Sequence, residues 1–380
     1  MSRDDKHIAI TISSFIDDMP DPRLDRSKLH SLSDIILLTL IGVLSGADNW
    51  VHIELFGKAN EEWLRQFLQL EHGVPSHDTL GRVFRLIDPL ELGERLARWL
   101  DAMRGEVVDG HIAIDGKTLR RTFDKAEGIA PLHVVNAWAT ESRLCIGTVG
   151  LDDGENEIVA IPRLLGLIDL KGQTVTVDAI GCQRELAKAI VDGCGNYVLR
   201  VKGNQPNLVT EMTDFFTDAE AAGFAEQTWH AFEETDGDHG RIEVRRTWTT
   251  EALDWFADGP RWAGLRSLVV QRCTRSTAQK ESETLRIFIS SRPAEEVERL
   301  ARLARGHWAV ENQLHWVLDM AFDEDQSRIR KDNAPLNLAA LRRLALGLLK
   351  RNKSRKCGVA GKRLIAGWDR SYLIEVLAGR

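Results

Sequence analysis

Three acids stand where a merely solvated carboxylate is not expected. In HIAIDGKT, residues His111 to Thr118, Ile112 and Ile114 alternate with Ala113 and Asp115, so a short strand carries branched apolar side chains on one face and the carboxylate on the other. Gly116 then permits a sharp exit. Taken alone, Asp115 reads first as the start of a turn. TVTVDAIG repeats the pattern: Val175 and Val177 face one way, Thr174, Thr176 and Asp178 the other, and Gly181 follows. The third acid, Glu311, shares a helical stripe with Trp308, His315 and Leu318, a face that is otherwise largely aromatic and apolar, although taken alone it also reads as a surface acid beside two tryptophans. A dry, unpaired carboxylate is costly, so three of them call for a cation. Carboxylates are hard oxygen ligands that suit Mg²⁺ or Mn²⁺ rather than zinc. Such a cluster can hold two ions roughly 4 Å apart, one activating a water or hydroxyl and the other stabilising the leaving oxygen of a phosphodiester. Phosphoryl transfer is therefore the chemistry these residues favour. A glycosidase also pairs carboxylates but leaves the third acid unexplained.

Two nearby patterns mislead. Gly116 to Thr118 imitates the end of a phosphate-binding loop, yet the first glycine of that motif would fall at position 111, which is His111. His307 and His315 lack partner cysteines, which disfavours zinc and leaves phosphate contact, support of a metal site, or packing.

The elements that must position these acids follow from periodicity. Residues 1–105 read as helical. Ser33 can cap a helix running through Leu44, Gly46 stops it, and a second helical pattern spans about Val51 to Leu70. Ser76 can cap a helix with Leu80, Val83, Phe84 and Ile87 inward and His77, Asp78, Gly81, Arg82 and Arg85 on the other side. That outer face fits the recognition helix of a DNA reader as well as an ordinary amphipathic helix. From about Gly110, HIAID, PLHVVNAWA and RLCIGTVGL suggest an antiparallel meander. Alternating helix and strand through NYVLRVK then indicates a mixed, mainly parallel α/β sheet. Residues 208–291, with Trp229, Trp248, Trp255 and Trp262, read as an inserted β-rich subdomain that interrupts the sheet, and residues 292–380 as helical again. The expected segments are thus 1–105, 106–207, 208–291 and 292–380.

Composition narrows the setting. The longest apolar run, Ile35 to Leu44, is too short to span a bilayer, and MSRDDKH has no signal-peptide core, so a cytoplasmic protein is expected. Five scattered cysteines without CxxC spacing argue against a disulfide framework. A net charge of −7 does not advertise a nucleic-acid binder, so DNA contact must come from local patches. One such patch runs from Lys350 to Arg363: Lys350, Arg351, Lys353, Arg355, Lys356, Lys362 and Arg363, with no acid among them. It reads either as a solvated basic tail or as a phosphate contact.

With these residues in hand, the chain resembles the DDE transposases of bacterial insertion sequences, in the group of the H-repeat-associated proteins. The resemblance rests on DPR (Asp21 to Arg23), PSHDT (Pro75 to Thr79), AIDGKTLR (Ala113 to Arg120), VDAIGCQ (Val177 to Gln183), VKGNQ (Val201 to Gln205), HGRIE (His239 to Glu243) and HWAVENQLHWVLDMAFDED (His307 to Asp325). It implies a ribonuclease H-like mixed α/β sheet with an inserted β-rich subdomain, preceded by an all-helical N-terminal domain that binds DNA ends. It implies cleavage at element ends and strand transfer into target DNA, with two Mg²⁺ or Mn²⁺ ions held by Asp115, Asp178 and Glu311. A homodimer on DNA, associated with the nucleoid, is the partner state it implies. Ala304, His307 and Leu318 stand where broader relatives carry a tyrosine, an arginine and a lysine around the glutamate. His307, Asn312 and His315 are substitutes for those contacts, with Lys202, Asn204, Gln205, Arg82, Arg85 and the basic run Lys350, Arg351, Lys353, Arg355 and Lys356 as further DNA contacts. The competing expectations are a related nuclease that cuts without joining and a DNA-binding relative without catalysis.

Overall fold

The computed structural model describes residues 16–379 apart from 106, 108, 153, 239, 240, 278 and 279. His239 and Gly240 of HGRIE, and the heptapeptide MSRDDKH, lie outside the described residues. In chain order come α1 (Leu32–Leu44), α2 (Trp50–Ala59), one helical turn at Glu61–Leu64, α3 (His77–Leu86) and α4 (Pro89–Arg104). Strands β1 (His111–Thr118), β2 (His133–Ala139) and β3 (Leu144–Gly150) follow, then α5 (Glu157–Leu165), β4 (Thr174–Val177), α6 (Arg184–Asp192), β5 (Asn196–Val201) and α7 (Pro206–Ala221). Four long strands, β6 (His230–Asp238), β7 (Arg241–Thr250), β8 (Ser267–Thr277) and β9 (Glu281–Ser290), lead to α8 (Val297–Gly306) and a π-helical turn at Glu311–His315. Helices α9 (Trp316–Phe322), α10 (Ala334–Arg351), α11 (Val359–Trp368) and α12 (Arg370–Leu377) come last.

Among the described residues the strands form one mixed nine-stranded sheet in the order β3-β2-β1-β4-β5-β9-β8-β7-β6. β1, β4 and β5 are mutually parallel, while β2 with β3 and the run from β5 through β6 are antiparallel. The expected mixed α/β architecture is present. Residues 208–291, however, do not interrupt the sheet. β9 pairs with β5 from Val198↔Ser290 to Val201↔Ile287, so these strands extend the core sheet. The physical reason is the edge that β5 would otherwise expose, which β9 covers with its own backbone groups.

Local chemistry also moved two helix boundaries. Ser31, not Ser33, caps α1, its hydroxyl accepting from the Asp34 amide at 3.0 Å. Asp34 itself is buried, and its carboxylate accepts from the amides of Gln69 at 3.2 Å and Leu70 at 3.0 Å, which ties the loop after Leu64 to the helix start. The pattern after Val51 breaks at Asn60, whose side-chain amide donates to the Phe56 carbonyl at 2.9 Å.

The chain divides into two compact units. One takes the residues up to Val107, Gly116–Glu155 and those from Val310; the other takes the strand segment ending at Asp115 and Asn156–Ala309. In the first unit α10 is buried along most of its length and packs against α1, α3, α4 and β3. In the second, α5 and α6 pack together and α8 lies against β5, β6 and β7. All four residues of β4 are buried, as a parallel strand covered on both faces requires. No helix among the described residues is long and apolar enough to cross a membrane.

Candidate active site

The second unit aligns two of the three acids. β1 and β4 pair in parallel register from His111↔Thr174 to Ile114↔Val177. Asp115 and Asp178 each follow the last of these pairs, Asp115 still within β1 and Asp178 just beyond β4, on strands that run about 4.8 Å apart. Arg292 secures this register from the opposite end. Its buried guanidinium donates to Asp109, just before β1, at 2.8 Å and to the Thr174 hydroxyl at the start of β4 at 3.1 Å. Asp178 caps the turn that follows, accepting from the Ile180 amide at 3.1 Å. Burial pushes the Asp178 carboxyl above the ordinary carboxylate range, and Glu157 adds to the effect.

The loop after Asp178 is braced from below. The Asn204 amide donates to the Ala179 carbonyl at 2.6 Å, and that of Gln205 to the Cys182 carbonyl at 3.0 Å. These two residues, expected as DNA contacts, thus engage the acid-bearing loop, whereas Lys202 is exposed. His307, expected beside phosphate, faces inward. The Thr176 hydroxyl lies 2.7 Å from His111 Nε2 and 3.2 Å from His307 Nδ1. Burial pushes His111 down to about 3, with His307 adding to it, and pushes His307 down to about 4, with Arg200 adding. Both rings are therefore neutral near pH 7 and share one hydroxyl.

Glu311 and His315 belong to the first unit. The widened π-helical turn changes which side chains share a face. Leu314, His315 and Leu318 are buried while Asn312 is exposed and the Glu311 side chain is 56% exposed, so Glu311 does not lie on the dry stripe expected of a regular helix. Its Oε2 lies 3.0 Å from His315 Nδ1. A carboxylate of this kind is a suitable donor to a divalent ion.

Behind His315 runs a buried polar chain that sequence reading missed. His315 Nε2 lies 3.2 Å from Asn136 Nδ2. Asn136 Oδ1 accepts from Arg343 Nε at 2.5 Å and from the Thr148 hydroxyl at 3.2 Å, and Arg343 Nη1 donates to Glu324 Oε1 at 2.8 Å. The signal available in the sequence was an asparagine inside an apolar strand, VVNAWA, and a glutamate that the structure buries completely. Lys117, in the false phosphate-loop motif, is buried against Asp319, with its ammonium 2.8 and 2.7 Å from the two carboxylate oxygens.

The basic candidates divide into two groups. Arg82 and Arg85 line a cavity of about 540 Å³ within the first unit, together with Trp50, His77, Asp78, Asp124, Arg328, Arg330 and Lys331. Five cations against two acids make this a positive concavity in a chain of net charge −7. The run from Lys350 is not a uniformly solvated tail. Lys362 and Arg363 are buried, Lys362 donating to the Leu349 carbonyl at 3.0 Å and Arg363 to the carbonyls of Val43 and Ala321, both at 2.7 Å, and Ala47 at 2.9 Å. Lys350 lies 5.0 Å above the Trp138 ring, and burial, with Arg143 nearby, pushes its ammonium down to about 8. Lys353, Arg355 and Lys356 are exposed.

Comparison with known proteins agrees with the resemblance read from the sequence. The family described as Transposase DDE domain matches residues 107–348, and the one described as DDE_Tnp_1-associated matches residues 13–100. YhhI of Escherichia coli (strain K12), an H repeat-associated protein whose name assigns it to the transposases, is 38% identical over 366 residues, covering 95% of this chain and 96% of its own. YncI of Escherichia coli O157:H7, also named a transposase, is 37% identical over 373 residues, covering 97% of this chain and 94% of its own. Among solved structures, a piggyBac transposase synaptic complex with hairpin DNA is 10% identical with a TM-score of 0.40, covering 97% of this chain and 76% of that one.

Proposed function

The chain belongs to the transposase DDE domain family, and on that premise we propose that it cuts DNA at the ends of an insertion sequence and joins the freed ends to target DNA. The observation that supports the reading is the register of β1 and β4, in which Asp115 and Asp178 each follow the last pair, Ile114↔Val177. We assign Asp115, Asp178 and Glu311 as the catalytic acids. The donor set suits a divalent cation: the carboxyl of Asp178 is pushed up by burial and by Glu157, and a positive ion there reverses that penalty. Mg²⁺ or Mn²⁺, as one ion or two, supplies activation of the attacking water or 3′ hydroxyl and offsets charge on the phosphodiester. The remaining work falls to the protein. Arg292 fixes the strand register, and Asn204 and Gln205 hold the turn beyond Asp178. The covalent sequence is hydrolysis of a phosphodiester, which frees a 3′ hydroxyl, followed by attack of that hydroxyl on a target phosphodiester, which expels the target 3′ oxygen.

DNA is gripped, in this reading, by Arg82, Arg85, Arg328, Arg330 and Lys331 around the cavity and by the exposed Lys353, Arg355 and Lys356. Asn312, exposed next to Glu311, is the remaining candidate for a contact beside the scissile phosphate. Joining two ends requires two active sites, so a homodimer forms on DNA.

The test is incubation of purified protein with Mg²⁺, labelled element ends and a target plasmid. Cleaved and joined products are expected, and Asp115→Asn, Asp178→Asn or Glu311→Gln should lower cleavage by at least about 100-fold. Unchanged cleavage in any of the three removes that residue from the site. Nicking without joined products replaces the transposase reading with a nuclease.

A further inference from the structure

The buried chain behind His315 has a direction that its donors and acceptors determine. Arg343 has only N–H donors, and it points Nε at Asn136 Oδ1 while Nη1 holds Glu324. The Thr148 hydroxyl also donates to that oxygen. The amide orientation of Asn136 is thereby set, and its NH₂ must face His315 Nε2, 3.2 Å away. That nitrogen can then only accept. The ring proton therefore sits on Nδ1, where it is donated to Glu311 Oε2 at 3.0 Å. Glu324 is fully buried and the Arg343 side chain is 2% exposed, so the chain is anchored on an ion pair that water does not loosen.

We propose that Glu324, Arg343 and Asn136 form a relay that fixes the Nδ1–H tautomer of His315, and that His315 thereby positions Glu311 with its second carboxylate oxygen free to bind a divalent ion. The proposal rests on Glu311 being a metal ligand. His315 and Asn136 are positioning residues that act through Glu311. They are residues of the same kind as the carboxylate or carbonyl partners that orient metal-bound histidines, with the roles exchanged: here the imidazole orients the carboxylate.

The experiment measures Mn²⁺ binding to the full chain by electron paramagnetic resonance, with thermal unfolding recorded for each variant. His315→Asn keeps an amide donor near the place of Nδ1, whereas His315→Gln places its amide towards Asn136. The relay predicts that His315→Asn retains Mn²⁺ affinity close to the parent, while His315→Gln loses about tenfold or more. A role confined to packing orders the two the other way, because glutamine fills more of the imidazole volume, and that order overturns the proposal. Glu311→Gln separates the two ideas. If it leaves Mn²⁺ binding intact, the ligand assignment fails and the relay with it; if it abolishes binding while both His315 variants bind normally, only the relay fails.

Discussion

A histidine that the reaction does not use reports on how the acids are held. His111 opens β1 and is 4% exposed, bonded through Thr176 to His307. Its pKa is pushed from the ordinary 6.5 to about 3 by burial. The unfolded chain therefore takes up a proton below pH 6.5 that the folded chain refuses until about pH 3. Stability should fall across that window by about 1.4 kcal/mol per pH unit from His111, with a smaller share from the partly exposed His307 down to about pH 4. Urea midpoints measured through this range should show the loss, and His111→Asn should flatten the slope; an unchanged slope would mean the ring is protonated in the fold. At this scale the sequence was legible where a residue's context is local. Asp115 and Asp178 stood out because each follows two alternating valines or isoleucines. Arg292 and Asn136 did not, because their partners lie 183 and 207 residues away in sequence, and nothing near them announces the contact.

Among the elements, the turn after β4 is the most tightly specified. A Cβ on Gly181 would lie 2.2 Å from Val177 Cγ1 and 2.8 Å from Val177 Cβ, so the turn closes onto the end of its own strand. Gly181→Ala must move either Val177 or the loop that Asp178 begins, at a cost of about 1–3 kcal/mol. Cleavage should fall further than unfolding stability accounts for, which single-turnover assays on folded protein at low temperature would reveal; parent-like turnover would show that the turn relaxes without shifting the acid. Strand periodicity made β1, β4 and β5 legible, since parallel strands covered on both faces keep short apolar runs. The π-helical turn was hidden because a regular 3.6-residue period was assumed, and one widened turn changes which residues share a face. Tryptophan-rich strands after α7 suggested a separate body, and only the pairing of β9 with β5 reveals that they continue the sheet.

For the molecule as a whole, charge is uneven in a way the total conceals. The chain carries −7, yet the cavity beside α3 gathers five cations. If those side chains meet phosphates, each one removed should lower the slope of log affinity against log salt by about 0.9 on duplex DNA. Arg82→Ala and Lys331→Ala, measured across a salt series, test this directly; slopes equal to the parent would place the DNA elsewhere. Sequence reading found Arg82 and Arg85 because they share a helix face, and missed Arg328, Arg330 and Lys331 because they arrive from a distant loop. Arg363 is the reverse case: a residue of a run read as a solvated tail or a phosphate contact lies buried over the Phe322 ring and donates to Val43 in the last turn of α1 and to Ala47 just beyond it. Val43 and Arg363 are 320 residues apart. At about 5–20 residues per second on the ribosome, α1 waits roughly 16–64 s for the guanidinium that donates to its Val43 carbonyl. The end of the first long helix is thus completed only after the C-terminal helices have been made.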